Sequence, residues 1–435
     1  MAGEAIQEYP MHECVFRGDK KELSRLLRTH DVTQKDKHGN TPLHLAVMLG
    51  HNDCVQLLLA HGAPVKSKNA LGWTPLAEAI SLGDRQTIVT LLRRLKQQSR
   101  ELLEKRRPAL MKALSDLGDF YLELHWDFHS WVPLVSRMLP SDICRIHKRG
   151  CCLRMDTTLM DFTDMKWERG DITFLFNGNA KPSNSLTVLD NKMKVYHRIR
   201  NQETETEIED EVDILMSSDI VAAQMPTKNI TFTRAQSGWL FKADKTDKVG
   251  NFTADYYIVH GLTLESRKRR EHLSDEDLRK NKAIMENFTK GYLSENTEPE
   301  RRPSLPPPDR SDASWEDYIN SPPAEAPHLG RPVQNKENTK TFKAMIATSE
   351  DFPMTVEALM DMLEVIGPFK QFSKLRTFMQ SKLPPGFPIK IEIPVFPTVT
   401  AKLTFHEFAW KEDLEESLFE TPSDYVEDPT RFPDL

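Results

Sequence analysis

The chain has 435 residues, 39% of them hydrophobic and 28% charged, with a formal net charge of −7. That length allows two or three domains with substantial cores, and the acidic balance argues against generic nucleic-acid binding. No stretch reaches the run of about 18 apolar residues that a membrane-spanning helix needs, and the opening MAGEAIQEYP lacks the basic and apolar regions of a secretory leader. Five cysteines, at 14, 54, 144, 151 and 152, form no C-x-x-C pair, which fits a reduced compartment.

A repeat opens the chain. Thr41-Pro42-Leu43-His44-Leu45-Ala46 returns 33 residues later as Thr74-Pro75-Leu76-Ala77-Glu78-Ala79, and is anticipated 32 residues earlier by Tyr9-Pro10-Met11-His12-Glu13-Cys14. Gly18, Gly50 and Gly83 keep the same phase, each placed to end a first helix, while Leu57-Leu58-Leu59 and Leu91-Leu92 supply the apolar face of second helices. Two features at one period mark about three ankyrin repeats over residues 1–98, the first degenerate. In each, Pro opens the first helix and the Thr hydroxyl can cap it. His12 and His44 are expected to bond backbone between repeats, not to bind metal or catalyse. So short a stack is near the limit of stability and is expected to dock on the module C-terminal to it.

Residues 99–140 are expected to be connecting helices, basic and then aromatic, with Pro108 restarting the helix. Between Arg93 and Lys112 eight Lys or Arg face two Glu, a local +6. Such a run is a solvated helix face or a patch for anionic lipid headgroups; Arg93, Arg94, Arg106 and Arg107 are its candidate contact residues. Phe120, Tyr121, Trp126, Phe128 and Trp131 come next, within twelve residues. They are expected to be core, a seam between domains, or a groove for hydrophobic segments. Trp73, Trp126, Phe128 and Trp131 are the aromatic candidates for partner binding.

From Asp156 the period becomes strand-like. Residues 171–176 end at Asn177-Gly178, and 186–189 and 193–197 flank a turn at 190–192. Further strands are expected at 230–234, 238–243, 255–263, 388–393 and 398–408. Glu203–Asp213 holds seven acids and no Lys or Arg, a solvated loop on composition. Arg267-Lys268-Arg269-Arg270 is read as the surface of a charged helix running to about residue 292. Nine prolines between 297 and 338 predict a disordered linker. Two Met-rich helices are expected over 354–366 and 368–381, and a loose acidic tail over 414–435. The β-rich domain is thus assigned to 141–296 with 339–413. The fold class is α+β: a helical repeat stack, then a helix-decorated antiparallel sheet, sandwiched or rolled into a barrel, with a disordered insert.

No G-x-S-x-G, P-loop, G-x-G-x-x-G or H-E-x-x-H occurs. His125 and His129 have the i, i+4 spacing of two ligands on one helix face, but no Glu stands between them and no third ligand is evident in the sequence. No catalytic residue, cofactor or metal is assigned, and an enzyme is not expected.

TPLHLAVMLG, LELHWDFHSWVPLVSRMLPSD, GDITFLFNG and PIKIEIPVFPTVTAKLTF together resemble the ankyrin-repeat-domain-13 family, over nearly the whole chain. In that family a short ankyrin block precedes a so-called GPCR-chaperone domain. Several members end in ubiquitin-interacting motifs, an acidic run followed by Ala and Ser at fixed spacing; neither the tail after Phe408 nor Glu203–Asp219 shows that pattern. The resemblance implies a non-enzymatic chaperone or retention factor, peripheral on the cytosolic face of the endoplasmic reticulum, whose partners are immature G-protein-coupled receptors. The alternatives are an endocytic or ubiquitin-linked adaptor, and a β-domain that binds a lipid or small ligand on an ankyrin scaffold. Both the concave face of the repeats and the aromatic stretch are candidate contact surfaces.

Overall fold

The computed structural model describes residues 8–130, 139–163, 166–200, 202–238, 242–290, 301–309, 312–322, 325–366, 379, 383–396 and 399–432. Six helices open it: α1 (Pro10–Arg17), α2 (Lys20–Leu26), α3 (Pro42–Met48), α4 (Asn52–Ala60), α5 (Pro75–Leu82) and α6 (Arg85–Asp116). These are three helix pairs at the phase of the Thr-Pro repeat. Thr74 accepts from the Ala77 amide, and α1 and α5 each close on a glycine at φ 70°, Gly18 and Gly83. His12 Nε2–H donates to Asn40 O at 3.0 Å and His44 Nε2–H to Trp73 O at 3.1 Å, so each imidazole ties its own repeat to the turn that opens the next. His44 Nδ1 also accepts from the Thr41 amide. Both rings are fully buried.

Helix α6 is the rod that joins the two halves. It runs for 32 residues, about 48 Å at 1.5 Å per residue, and passes through Pro108 without the expected restart. Its first half gives Ile88, Val89, Leu91 and Leu92 to the core of the repeats. Its last turns give Leu110 and Leu114 to a second core, under the sheet. At its end the Leu117 carbonyl accepts from Lys148 Nζ, which also pairs with Asp119 at 3.0 Å. That ammonium is wholly buried, so helix end and sheet are joined by a paired charge.

The strands, in chain order, are β1 (Phe120–Ser130), β2 (Ser141–Arg149), β3 (Cys152–Thr163), β4 (Lys166–Asn177), β5 (Leu186–Asp190), β6 (Val195–Arg198), β7 (Ile220–Gln224), β8 (Thr231–Arg234), β9 (Gln236–Ser237), β10 (Ala243–Asp244), β11 (Thr246–Val249), β12 (Phe252–Arg269), β13 (Asn335–Ser349), β14 (Phe387–Phe396), β15 (Val399–Trp410) and β16 (Val426–Glu427). Among the described residues fourteen of them form one open sheet, with the path β11-β12-β13-β14-β15-β1-β2-β3-β4-β5-β6-β16 and with β7 and β8 added to β12. The short pair β9 and β10 stands apart. Phe120, Phe352, Phe387, Phe405 and Phe408 meet in the sheet's core with Leu122 and Ile389. Helix α10 (Val356–Ile366) lies against α6; the expected helix at 368–381 falls almost wholly outside the described residues.

Five expectations are corrected. Residues 120–130 are a strand, not a connecting helix, because Phe120, Leu122, Leu124, Trp126 and Phe128 alternate with more polar residues on one face, whose first three members pack on the core. The acidic run 203–213 lies mostly in a helix, α7 (Glu205–Ser217), that buries Ile208, Val212 and Met216 in the repeat core. The cationic run 267–270 ends strand β12 and precedes helix α8 (Asp275–Lys290). The proline-rich segment is packed on the repeats at residues 301–309, 312–322 and 325–334, with a short helix α9 (Trp315–Asn320), and its last residues begin β13. The acidic tail is docked: β16 pairs in parallel with β6, and Arg431 Nε reaches the buried Asp190 carboxylate at 2.8 Å. In each case a few side chains that make buried contacts outweigh composition.

Burial pushes the His44 imidazole down to about 4 from 6.5. Its folded value lies below its unfolded value, so on acidification the unfolded chain takes up the proton first. The stability this group contributes is complete above about pH 6.5 and is lost on descent towards pH 4. The urea midpoint is expected to fall steadily between pH 7 and pH 4.5; a flat midpoint across that window contradicts the assignment.

Candidate protein-interaction site

Each repeat opens on a tight turn, and the turns build a groove. Asp36 Oδ1 accepts from the amides of His38 and Asn40, both at 2.9 Å. One repeat later, Asn69 Oδ1 accepts from those of Leu71 (3.1 Å) and Trp73 (3.0 Å). Both are Asx turns, in which the side chain replaces a missing backbone partner. Gly39 is required between them: its φ is 75°, and a Cβ there would meet Ala70 N at 2.5 Å. Asn69 Nδ2 then donates to Asn40 Oδ1 at 3.0 Å, which joins successive turns.

The end of β12 enters this groove. The Arg269 side chain, 1% exposed, donates from Nη1 to Glu78 Oε2 and from Nη2 to Ser81 Oγ, both at 2.9 Å, and from Nε to Glu271 Oε1 at 2.6 Å. Its guanidinium lies over the Trp73 ring, 5.1 Å from the centroid. Burial pushes the Glu78 carboxyl up, against the pull of Arg269. Burial acts to raise Glu271 too, but Arg269 and the Ser81 hydroxyl outweigh it and hold that carboxyl below its ordinary range. A buried cation between two carboxylates, a hydroxyl and an indole has little freedom to leave.

The proline-rich segment covers the rest of the groove. Leu305 N donates to Gly83 O at 2.9 Å, Arg331 Nη2 to Leu82 O at 3.2 Å, and Ser304 Oγ accepts from Arg85 N at 3.1 Å. In α9, Ser314 and Asp317 form a capping box. Trp315 and Tyr318, one turn apart, both pack on Phe16, at ring separations of 5.6 and 5.7 Å. The Tyr318 hydroxyl donates to Asp36 Oδ2 at 2.6 Å and accepts from Asn40 Nδ2 at 2.8 Å, and His38 Nε2–H donates to Tyr318 O at 2.9 Å. Burial, helped by Asp36, drives the Tyr318 phenol far above its ordinary value, so it stays a donor. A cavity of about 250 Å³ remains between segment and groove, lined by His38, Trp73, Glu78, Arg269, Tyr318 and Leu329 among others.

The residues singled out from sequence do not converge. Trp73 is 2% exposed and belongs to the groove floor, not to a free surface. Trp126 and Phe128 lie on one face of β1, half-buried and edge to face at 6.2 Å. Trp131 falls outside the described residues. Arg93 pairs with Glu205 and Arg94 with Glu101 at 3.7 Å. Arg107 donates to the carbonyls of Gly178 (3.1 Å) and Ala180 (3.0 Å), and Arg106 is engaged as well. Lys96 reaches Glu203 at 3.0 Å and Glu211 at 2.7 Å, and Arg100 reaches Glu203 at 2.7 Å. Three of the eight cations of this run, Arg93, Lys96 and Arg100, are thus met by α7 and its approach. Arg269, Glu78, Trp315 and Tyr318 were not singled out; the one local signal for the last two is a pair of aromatics one helical turn apart behind the capping Ser314.

His125 and His129 are on a strand, two pleats apart. His125 instead stacks on His406, ring centroids 4.5 Å apart, and its Nε2 lies 2.7 Å from Glu123 Oε1. The register of β1 and β15 shifts at Glu123/Leu124; that bulge turns His406 to the same face. These three side chains have metal-ligand chemistry, but Arg145 Nε lies 3.3 Å from Glu123 and already supplies the positive charge. Burial acts to raise the Glu123 carboxyl, and hydrogen bonds from His125 and Tyr121, with Arg145, outweigh it.

Two family models match the chain: "ANKRD13 C-terminal" over residues 154–431 and "Ankyrin repeats (3 copies)" over 11–102. Ankyrin repeat domain-containing protein 13C of Homo sapiens is 63% identical over 435 residues, covering 100% of this chain and 80% of its own length. The Danio rerio protein of that name is also 63% identical, with 89% of its length covered. Ankyrin repeat domain-containing protein 13B of Homo sapiens is 34% identical over 97% of the chain and 71% of its own length.

Replacing Tyr318 by Phe removes one hydroxyl and leaves Asp36 and Asn40 each short of a buried partner. The expected cost is about 1–3 kcal/mol in urea unfolding of the full chain; a change within about 0.3 kcal/mol contradicts the geometry of this contact.

Proposed function

This chain belongs to the ANKRD13 family, and from that premise we propose that it is a non-enzymatic holding factor for newly made G-protein-coupled receptors. It acts on the cytosolic face of the endoplasmic reticulum and regulates their maturation and export. The observation that carries the reading is the resemblance of the aromatic and C-terminal stretches to a receptor-chaperone domain; in this chain those stretches are β1, β14 and β15, adjacent in the centre of one sheet. An ankyrin groove beside that sheet supports recognition of polypeptide segments. The buried charges are used to join elements, as with Arg269 and Lys148, which suits a rigid recognition surface. No helix among the described residues is long and apolar enough to cross a membrane, so attachment in this proposal runs through a partner or a peripheral surface.

Capture of the protein from cells making a tagged G-protein-coupled receptor tests this directly. Enrichment of immature, core-glycosylated receptor is the expected result. Enrichment of mature, ubiquitylated receptor would place the protein among endocytic adaptors and contradict the proposal, as would capture of no receptor at all.

A further inference from the structure

The groove of the repeats already holds a peptide, the chain's own. Between β12 and β13 the chain leaves the sheet, and α9 presents Trp315 and Tyr318 to the turns and to Phe16. Among residues 312–322 only Tyr318 is buried. Further on, Leu329 is buried in the same core and Arg331 reaches the Leu82 carbonyl, so the segment is held by two buried anchors, one flanking indole and a few polar contacts, a mode of attachment used by short peptide ligands.

The fit is incomplete in a telling way. Beside Tyr318 the 250 Å³ cavity remains, and two of its lining residues carry buried ring nitrogens with no partner among the described residues, His38 Nδ1 and Trp73 Nε1. These residues are 4% and 2% exposed. The indole nitrogen is a donor only. Because His38 Nε2–H donates to the Tyr318 carbonyl, the neutral ring leaves Nδ1 as an acceptor. Both atoms are closed off from the cavity as well, so what an occupant meets is the open space beside Tyr318 and not these nitrogens.

We propose that this groove is a recognition site for an external polypeptide segment: an acid-capped helical turn with Trp and Tyr three residues apart, which also fills the cavity. The chain's own residues 312–322 and 325–333 are the resident stand-in, displaced when such a segment binds. The inference holds whichever protein supplies the segment, and does not depend on the receptor reading. Tethering gives the resident turn an effective concentration of the order of mM, so an outside peptide meets strong competition until the resident anchors are weakened.

The test uses the full chain and a fluorescein-labelled peptide of residues 312–333, read by anisotropy. A Trp315→Ala/Tyr318→Ala variant is expected to bind it saturably and at least tenfold more tightly than the wild-type chain. A peptide carrying the same two substitutions is expected not to bind. Equal binding to both chains, or none to a folded variant, overturns the proposal. Should the variant not fold, hydrogen exchange on the wild-type chain decides: amides of 315–320 are expected to exchange at least a hundredfold faster than those of 43–47. Equal protection means the segment is a permanent part of the fold and overturns the proposal. A stable dimer of the wild-type chain in sedimentation, with the peptide excluded, would make a second copy the occupant and would likewise overturn it.

Discussion

The rest of the structure depends on one buried cation. Arg269 leaves the sheet at the end of β12 and enters the repeats between Glu78, Ser81, Glu271 and the Trp73 ring. A guanidinium out of water is tolerated only when every direction it points is occupied by an acceptor or a π face. Those partners come from α5, from a repeat turn and from the residues after β12, so none of the three can shift without exposing a charge. The penalty for separation is what makes the contact specific. Helix α6 adds a mechanical constraint, since one rod serves both cores. A stack of three repeats, marginal by itself, is thereby completed by the remainder of its own chain.

That arrangement decides which surfaces are available to partners. The groove of the repeats faces β12 and is covered by the segment between β12 and β13, so a bare ankyrin surface is not what a partner meets. The first part of the basic face of α6 is likewise met from within: Arg93, Lys96 and Arg100 pair with Glu203, Glu205 and Glu211. Exposed ion pairs of this sort contribute little to stability, but they lower the field that an anionic membrane would feel. Trp126 and Phe128 lie on the same face of β1 as Phe120 and Leu122, half-buried and beyond the core that those two enter.

The repeats were legible because their cues are local. Thr-Pro, the helix-ending glycine and the Leu-rich second helix recur at one spacing, and each acts within a few residues. Strand β1 carries an equally local cue, apolar residues at 120, 122, 124, 126 and 128, but the basic helical stretch before it points to a continuing helix, and that expectation is the one the structure corrects. The Arg269 contact was not legible. It joins residues 191 positions apart, and a run of four cations gives no sign of which one is buried. The same holds for Tyr318 and Asp36, 282 positions apart. Composition misled most where it averaged over one or two side chains that make a buried contact: Tyr318 in a proline-rich run, Arg431 on the buried Asp190 in an acidic tail, Ile208 and Val212 in an acidic helix.

A double-mutant cycle between Arg269 and Glu78 tests the central claim most directly. Arg269→Met, Glu78→Gln and the double variant are unfolded in urea as full chains, and the coupling energy is taken from the four stabilities. The account predicts a coupling of at least about 2 kcal/mol, with either single variant more damaged than the loss of one surface pair allows. A coupling below about 0.5 kcal/mol, the scale of an exposed pair, would contradict it.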